Sequence, residues 1–313
     1  VKSIQIIAVA IQHMPVESAV TAFQLFSSKL PEAPGDLVEA TTEIFQSVVQ
    51  KFANTDISIL KTHFPAILHS LLLLLTIGDE NNNDLIEKTI LYGLCACIKE
   101  INIPEDQDPA AYLTTFDGTT IQAIVLQFTT MLGVQFIAIW PHVYKFLETL
   151  PALLRRTTYL FLEVPLRSSL EKMTNPEARS LDMVSRFVYS CANEMGLEAF
   201  FQSTELPPNQ LEQYDTLILP ILTNYSAKKH SSDLGFTMNF IMPVESHLQT
   251  LAAESDESRL AWGRLWNALP NCVSTNKAFV GENQQQFDQF IDYLCTIFAA
   301  HKNLVRPISK MLQ

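Results

Sequence analysis

The stretch Leu181-Asp182-Met183-Val184-Ser185-Arg186-Phe187-Val188-Tyr189-Ser190-Cys191-Ala192-Asn193-Glu194-Met195 decides the fold class. Leu181, Val184, Val188, Cys191 and Met195 recur in alternating steps of three and four, which lays one apolar stripe along a helix and would scatter over both faces of a strand. Asn175 and Pro176 predict its start, as N-cap and first helical residue. The same spacing returns in Phe287, Phe290, Ile291, Leu294, Ile297 and Phe298. The chain therefore reads as all-α.

Outward from these two stripes, apolar periodicity predicts helices over 15–29, 36–52, 57–77, 84–101, 117–131, 135–154, 158–172, 210–226, 234–252, 256–269 and 302–312. Breakers place loops at Pro31–Gly35, Gly78–Asn83, Pro104–Pro109, Leu206–Asn209 and Gly281–Asn283. Short connections between helices of this length imply antiparallel pairs. Three helices share a proline flanked by apolar residues and expected near the helix start: Pro65, Pro141 and Pro220. Their intervals are close to two units of the ~40-residue HEAT and armadillo period. The expected architecture is a HEAT/armadillo-like superhelical solenoid of antiparallel helix pairs, with an irregular helical bundle as the alternative. Residues 1–313 are expected to form one continuous stretch, generic repeats over 1–116 and more distinctive ones over 117–313. The chain opens on Val1 inside an apolar run, and is expected to be a fragment of a longer protein.

Composition narrows the function classes. Hydrophobic residues make up 48% and charged residues 17% of the chain, so disorder is excluded. Nine glycines against sixteen prolines disfavour Gly-rich phosphate loops. The net charge of −12 argues against a surface that binds nucleic acid throughout. That charge is uneven: residues 1–150 hold seven lysines, no arginine and sixteen acids, whereas all eight arginines lie in 151–313. RNA contact is thus expected in the second half, where Arg offers a planar fork for phosphate. The five cysteines, Cys95, Cys97, Cys191, Cys272 and Cys295, lack C-x-x-C spacing and read as buried thiols of a reducing compartment. The most apolar run, Ala66–Ile77, is shorter than the ~20 residues that span a bilayer, and is expected to be a core helix.

Catalysis needs convergent polar groups, and the common nucleotide, zinc-protease and hydrolase motifs are absent from the sequence. No catalytic residue, cofactor, metal site, membrane partner or small-molecule substrate is expected. Cys95 and Cys97 point about 200° apart on a helix and cannot readily share a metal. His63 and His69 form no recognisable ligand set. Trp140, Trp262 and Trp266 could stack on bases but are weighted toward core packing. The candidate phosphate contacts are Arg155, Arg156, Arg167 and Lys172, then Lys228 and Lys229, then Lys302, Arg306 and Lys310. Each group lies at or near a helix end, where favourable dipole charge is the plainer explanation. The acidic run Glu105-Asp106-Gln107-Asp108 reads as a solvated loop, or as a dock for a basic protein.

Several stretches occur in an order that resembles a known family. They are Leu132–Val143 around Trp140-Pro141, Met195–Phe201, Leu217–Leu222, Leu234–Pro243 with its two phenylalanines and a terminal apolar-x-Pro step, and Leu265–Cys272 read as a Trp-x-x-Leu-Pro turn. Over residues 120–312 the chain resembles the ribosomal RNA-processing protein twelve family of HEAT-repeat proteins. That resemblance implies a non-enzymatic scaffold in the nucleolus and nucleus that binds small-subunit pre-ribosomal particles, pre-ribosomal RNA and assembly proteins, with a part in subunit export. The polar stretch before the Trp-x-x-Leu-Pro element is short here, and residues 1–110 add only generic repeats. The alternative is a karyopherin-like nuclear transport receptor, which would bind a Ran-type GTPase and nuclear-pore repeats.

Overall fold

The computed structural model describes residues 2–29, 37–98, 108–175, 181–204, 206, 217–225, 236–253, 255–272 and 284–311. Every regular element among them is helical. The chain divides into two compact units, one of residues 1–154 and 160–165, the other of residues 155–159 and 166–313. The fold is all-α and of the HEAT-repeat solenoid class, as its periodicity implied.

In the first unit, α1 (Lys2–His13) and α2 (Val16–Lys29) pack on α3 (Val38–Thr55), which also packs on α4 (Ile57–Ile77) and α5 (Glu80–Ile98). The short α6 (Pro109–Leu113) leads into α7 (Phe116–Thr130), which lies against α4, and α8 (Trp140–Leu154) lies against α5. One residue joins α3 to α4. Asp56 adopts an extended conformation, ends α3 through its N–H to the Phe52 carbonyl, and starts α4 by accepting from the Ser58 N–H at 2.9 Å. That N-cap fixes where the chain reverses. The hydrogen bonds from Ser58, side chain first, hold the Asp56 carboxyl below its ordinary pKa.

The centre of this unit is α4, which buries Leu60, Phe64, Ile67, Leu68, Leu71, Leu72, Leu74 and Leu75. At 21 residues the helix exceeds its apolar run and is long and apolar enough to cross a membrane. Half of its most apolar window is nonetheless buried inside the protein, and Lys61 on it pairs with Asp117 of α7 at 2.9 Å. Gly93 of α5 permits the close approach to α4: a Cβ there would stand 2.0 Å from the Phe64 ring.

The second unit contains most of α9 (Thr158–Met173), then α10 (Leu181–Met195), α11 (Leu197–Thr204), α12 (Leu219–Asn224), α13 (Met242–Ala252), α14 (Asp256–Cys272), α15 (Gln284–Ala300) and α16 (Val305–Met311). The decisive stripe of α10 is realised, with Val184, Val188 and Cys191 fully buried. Helix α14 collects α12, α13 and α16 around it. A π-helical turn, Thr237–Ile241, leads directly into α13. It stacks Phe236 on Phe240 with ring centroids 4.8 Å apart, and Phe240 lies tilted against Phe201 of α11 at 4.7 Å.

Several expectations need correction. The segment 135–154 is a 3-10 turn, Val134–Ile139, followed by α8; Trp140 sits at the junction and its Nε1 donates to the Gly133 carbonyl at 3.3 Å. Pro65 lies well inside α4, which continues on either side of it despite the lost N–H. The Trp-x-x-Leu-Pro element is no turn, since Leu265–Cys272 completes α14 and Pro270 falls in the last helical turn. Nor does the helix stop at the apolar-x-Pro step: Pro243 falls in the first turn of α13, where proline's fixed φ suits a helix start. The Gly78–Asn83 loop is confined to Gly78 and Asp79. Cys95 and Cys295 are exposed, whereas Cys97, Cys191 and Cys272 are buried, and all five thiols are free. Pro176 and the predicted start of α10, most of the acidic run, the loops at 31–35 and 281–283, and most of those at 104–109 and 206–209 lie outside the described residues.

Candidate interaction surfaces

Lys302, Arg306 and Lys310 form the clearest cationic surface. A 3-10 turn, Lys302–Leu304, runs into α16, and the buried Leu304, Pro307, Ile308 and Met311 anchor this segment to the second unit. Those anchors turn Lys302, Arg306 and Lys310 outward, and all three are exposed. Arg306 and Lys310, four residues apart, share a face of α16, and Lys302 precedes them in the 3-10 turn.

The Arg155 group is arranged differently. Arg155 is exposed in the 3-10 turn Arg155–Thr157 with φ of 52°, a left-handed conformation unusual for a side-chain-bearing residue, and its carbonyl accepts from the Thr158 hydroxyl at 2.5 Å. Arg156 shares the turn, but its side chain lies outside the described residues. Arg167 and Lys172 are half-buried on α9. The Lys172 ammonium donates to Ser168 Oγ at 2.7 Å, and burial lowers its pKa against the opposing charge of Glu171. Lys228 and Lys229 lie outside the described residues.

The aromatic candidates are internal. Trp140, Trp262 and Trp266 are all buried, and Trp262 and Trp266 share a face as their spacing required. His63 packs between Phe23 and Phe52, and His69 bonds Gln127 at 3.0 Å. Among the described residues no three His, Cys, Asp or Glu side chains gather as a metal site.

Two polar clusters escaped the sequence reading. In the first unit, Glu87 of α5 accepts from His142 Nδ1 at 2.5 Å and from the Lys145 ammonium, both on α8. In the second unit, Glu245 of α13 is fully buried. Its Oε1 accepts from Trp262 Nε1 at 2.7 Å and Trp266 Nε1 at 3.2 Å, while its Oε2 accepts from the Tyr293 hydroxyl of α15. One signal was available: Ile241, Val244 and Leu248 line a buried stripe, and Glu245 occupies a place on it. An acid there needs internal donors, and two buried indoles need an acceptor.

A family model described as ribosomal RNA-processing protein 12, HEAT repeats, matches residues 81–313, well over half of the chain. The chain belongs to this family. The match begins upstream of the stretches that carried the resemblance and includes nearly all of α5, the first helix of the Glu87 cluster. The stretches that carried the resemblance hold packing devices: Trp140 bonds back to the 3-10 turn, Phe236 stacks on Phe240, and Trp266 meets a buried acid. Among curated proteins none matches the chain. Membership makes the chain a HEAT-repeat ribosome-biogenesis factor.

Proposed function

We propose that the chain is a non-enzymatic scaffold that binds small-subunit pre-ribosomal particles, through pre-ribosomal RNA and assembly proteins, in the nucleolus and nucleus, with a part in subunit export. The observation that carries this reading is the family match over residues 81–313. The exposed cations Lys302, Arg306 and Lys310 support it, since three positive charges close together on an anchored segment suit an RNA backbone. Arg155 is the next candidate, an exposed guanidinium on a constrained turn, with Arg156 beside it in sequence. Arg167 and Lys172 are weaker contacts because their side chains are half-buried, and Lys228 and Lys229 remain candidates on charge alone. The net charge of −12 confines RNA to such local rows and leaves the rest of the surface to basic proteins.

The test is affinity purification of the full-length protein from cells, with and without ribonuclease, with sequencing of bound RNA and identification of bound proteins. Small-subunit precursor RNA recovered with assembly factors is the expected result. Recovery of a Ran-type GTPase and nuclear-pore repeats without precursor RNA would replace this reading with a transport receptor.

A further inference from the structure

The lysines whose side chains are described divide into two kinds. Lys51, Lys61, Lys88, Lys145 and Lys172 each give the ammonium to an oxygen of the fold: the Gln12 carbonyl, Asp117, Asp84, Glu87 and Ser168 in turn. Lys302 and Lys310, with Arg306 between them, have no such partner among the described residues. Three exposed cations on one anchored segment are thus left for something outside the fold.

His301 stands at the corner where that segment begins. Its N–H bonds the Ile297 carbonyl at 2.9 Å and its own carbonyl accepts from the Leu304 N–H at 3.0 Å, so the backbone is fixed on both sides. The half-exposed imidazole meets the buried Trp262 indole edge to face, with centroids 4.9 Å apart and planes at 69°. An edge-to-face contact covers at most one face of the imidazole. The indole therefore braces the ring and leaves it a flat π surface, at the residue next to Lys302.

Each part selects the ligand. Unpaired cations close together attract phosphate, and a net charge of −12 keeps a polyanion to this local site. An aliphatic acidic peptide would answer the charges but offer nothing to the ring. A base can lie on the ring only when it has left its stack, because a duplex closes both faces of each base against its neighbours. Cations beside an aromatic platform are the combination that holds a single strand.

We propose that His301, Lys302, Arg306 and Lys310 form a subsite for single-stranded RNA, one base stacked on the imidazole and the flanking phosphates held by the three cations. The subsite rests on the RNA-binding reading above and narrows it to an unpaired stretch, bound with little base preference because every base has a π face.

The whole chain would be titrated at pH 8, where an ordinary imidazole is neutral, with a short oligouridine carrying one 2-aminopurine and with an RNA duplex of the same length. The single strand is expected to bind about ten-fold more tightly although the duplex has the denser charge, and its 2-aminopurine fluorescence is expected to be quenched by stacking. His301→Ser is expected to weaken single-strand binding about ten-fold with an unchanged salt dependence, because a neutral stack releases no counterion. Its duplex affinity, held by the cations alone, should equal that of the wild type, which a misfolded chain would not show. His301→Tyr should bind the strand as the wild type does, and Arg306→Glu should lower the salt slope instead. Equal affinity for strand and duplex, or wild-type strand binding by His301→Ser, would overturn the stacking site and leave RNA binding by the cations standing. A wild-type chain that binds neither strand nor duplex would overturn the subsite and the RNA contact of the scaffold reading together.

Discussion

Glu87 ties α5 to α8 by charge as well as by packing. Burial raises its carboxyl pKa, but the hydrogen bonds and charges of Lys145 and His142 outweigh that effect and bring it below the ordinary glutamate value. A folded pKa below the unfolded one gives stability that is present above the unfolded value and lost as pH falls through the folded one. Glu87→Gln is therefore expected to lower unfolding free energy by about 2 kcal/mol at neutral pH, with the difference vanishing in acid. Urea titrations at pH 7 and pH 3 check this, and equal differences at both would refute it. Thiol reactivity follows from burial in the same way. Burial pushes Cys97 and Cys272 up to about 12 and Cys191 well above its ordinary value, whereas Cys95 and Cys295 are exposed. A disulfide-exchange reagent at neutral pH should titrate two thiols rapidly in the native chain and all five after denaturation.

At the scale of elements, helix-to-helix distance is set where small residues meet large ones. Gly93 faces Phe64, whose ring is fully buried and has nowhere to retreat. Gly93→Ala would force α4 and α5 apart at a cost of about 1–3 kcal/mol. Pairing it with Phe64→Leu should recover part of the loss, a coupling that a double-mutant cycle on thermal midpoints detects. Additive losses would show that the two residues do not meet. The element scale also explains where periodicity misled. A proline or a Trp-x-x-Leu-Pro run reads as a boundary in isolation, yet Pro65 and Pro270 lie inside α4 and α14 because buried neighbours such as Ile67, Leu68 and Leu269 hold the backbone helical. The 3-10 turn before α8 and the π turn before α13 have the same apolar spacing as an α-helix, so the pattern could not separate them.

At the scale of the whole molecule, an acidic chain that touches RNA must do so through a few local rows of cations. The triple variant Lys302→Glu, Arg306→Glu, Lys310→Glu is expected to reduce the salt dependence of single-stranded RNA binding by about two units of log K against log salt. The three exposed side chains can change with an unaltered far-ultraviolet circular dichroism spectrum, and an unchanged salt slope measured by filter binding would remove them from the interface. Spacing along the chain was enough for the all-α class and for the burial of the three tryptophans, because a helix converts one-dimensional spacing directly into a face, and the order of a few stretches was enough for the family. Which acids go inside depends on how the helices pack. Glu87 and Glu245 resemble any surface glutamate until α8 brings His142 and Lys145, and α14 and α15 bring two indoles and a phenol, from residues 17 to 58 positions away. Burial of a charge depends on the donors that converge on it, and that convergence exists only once the helices have packed.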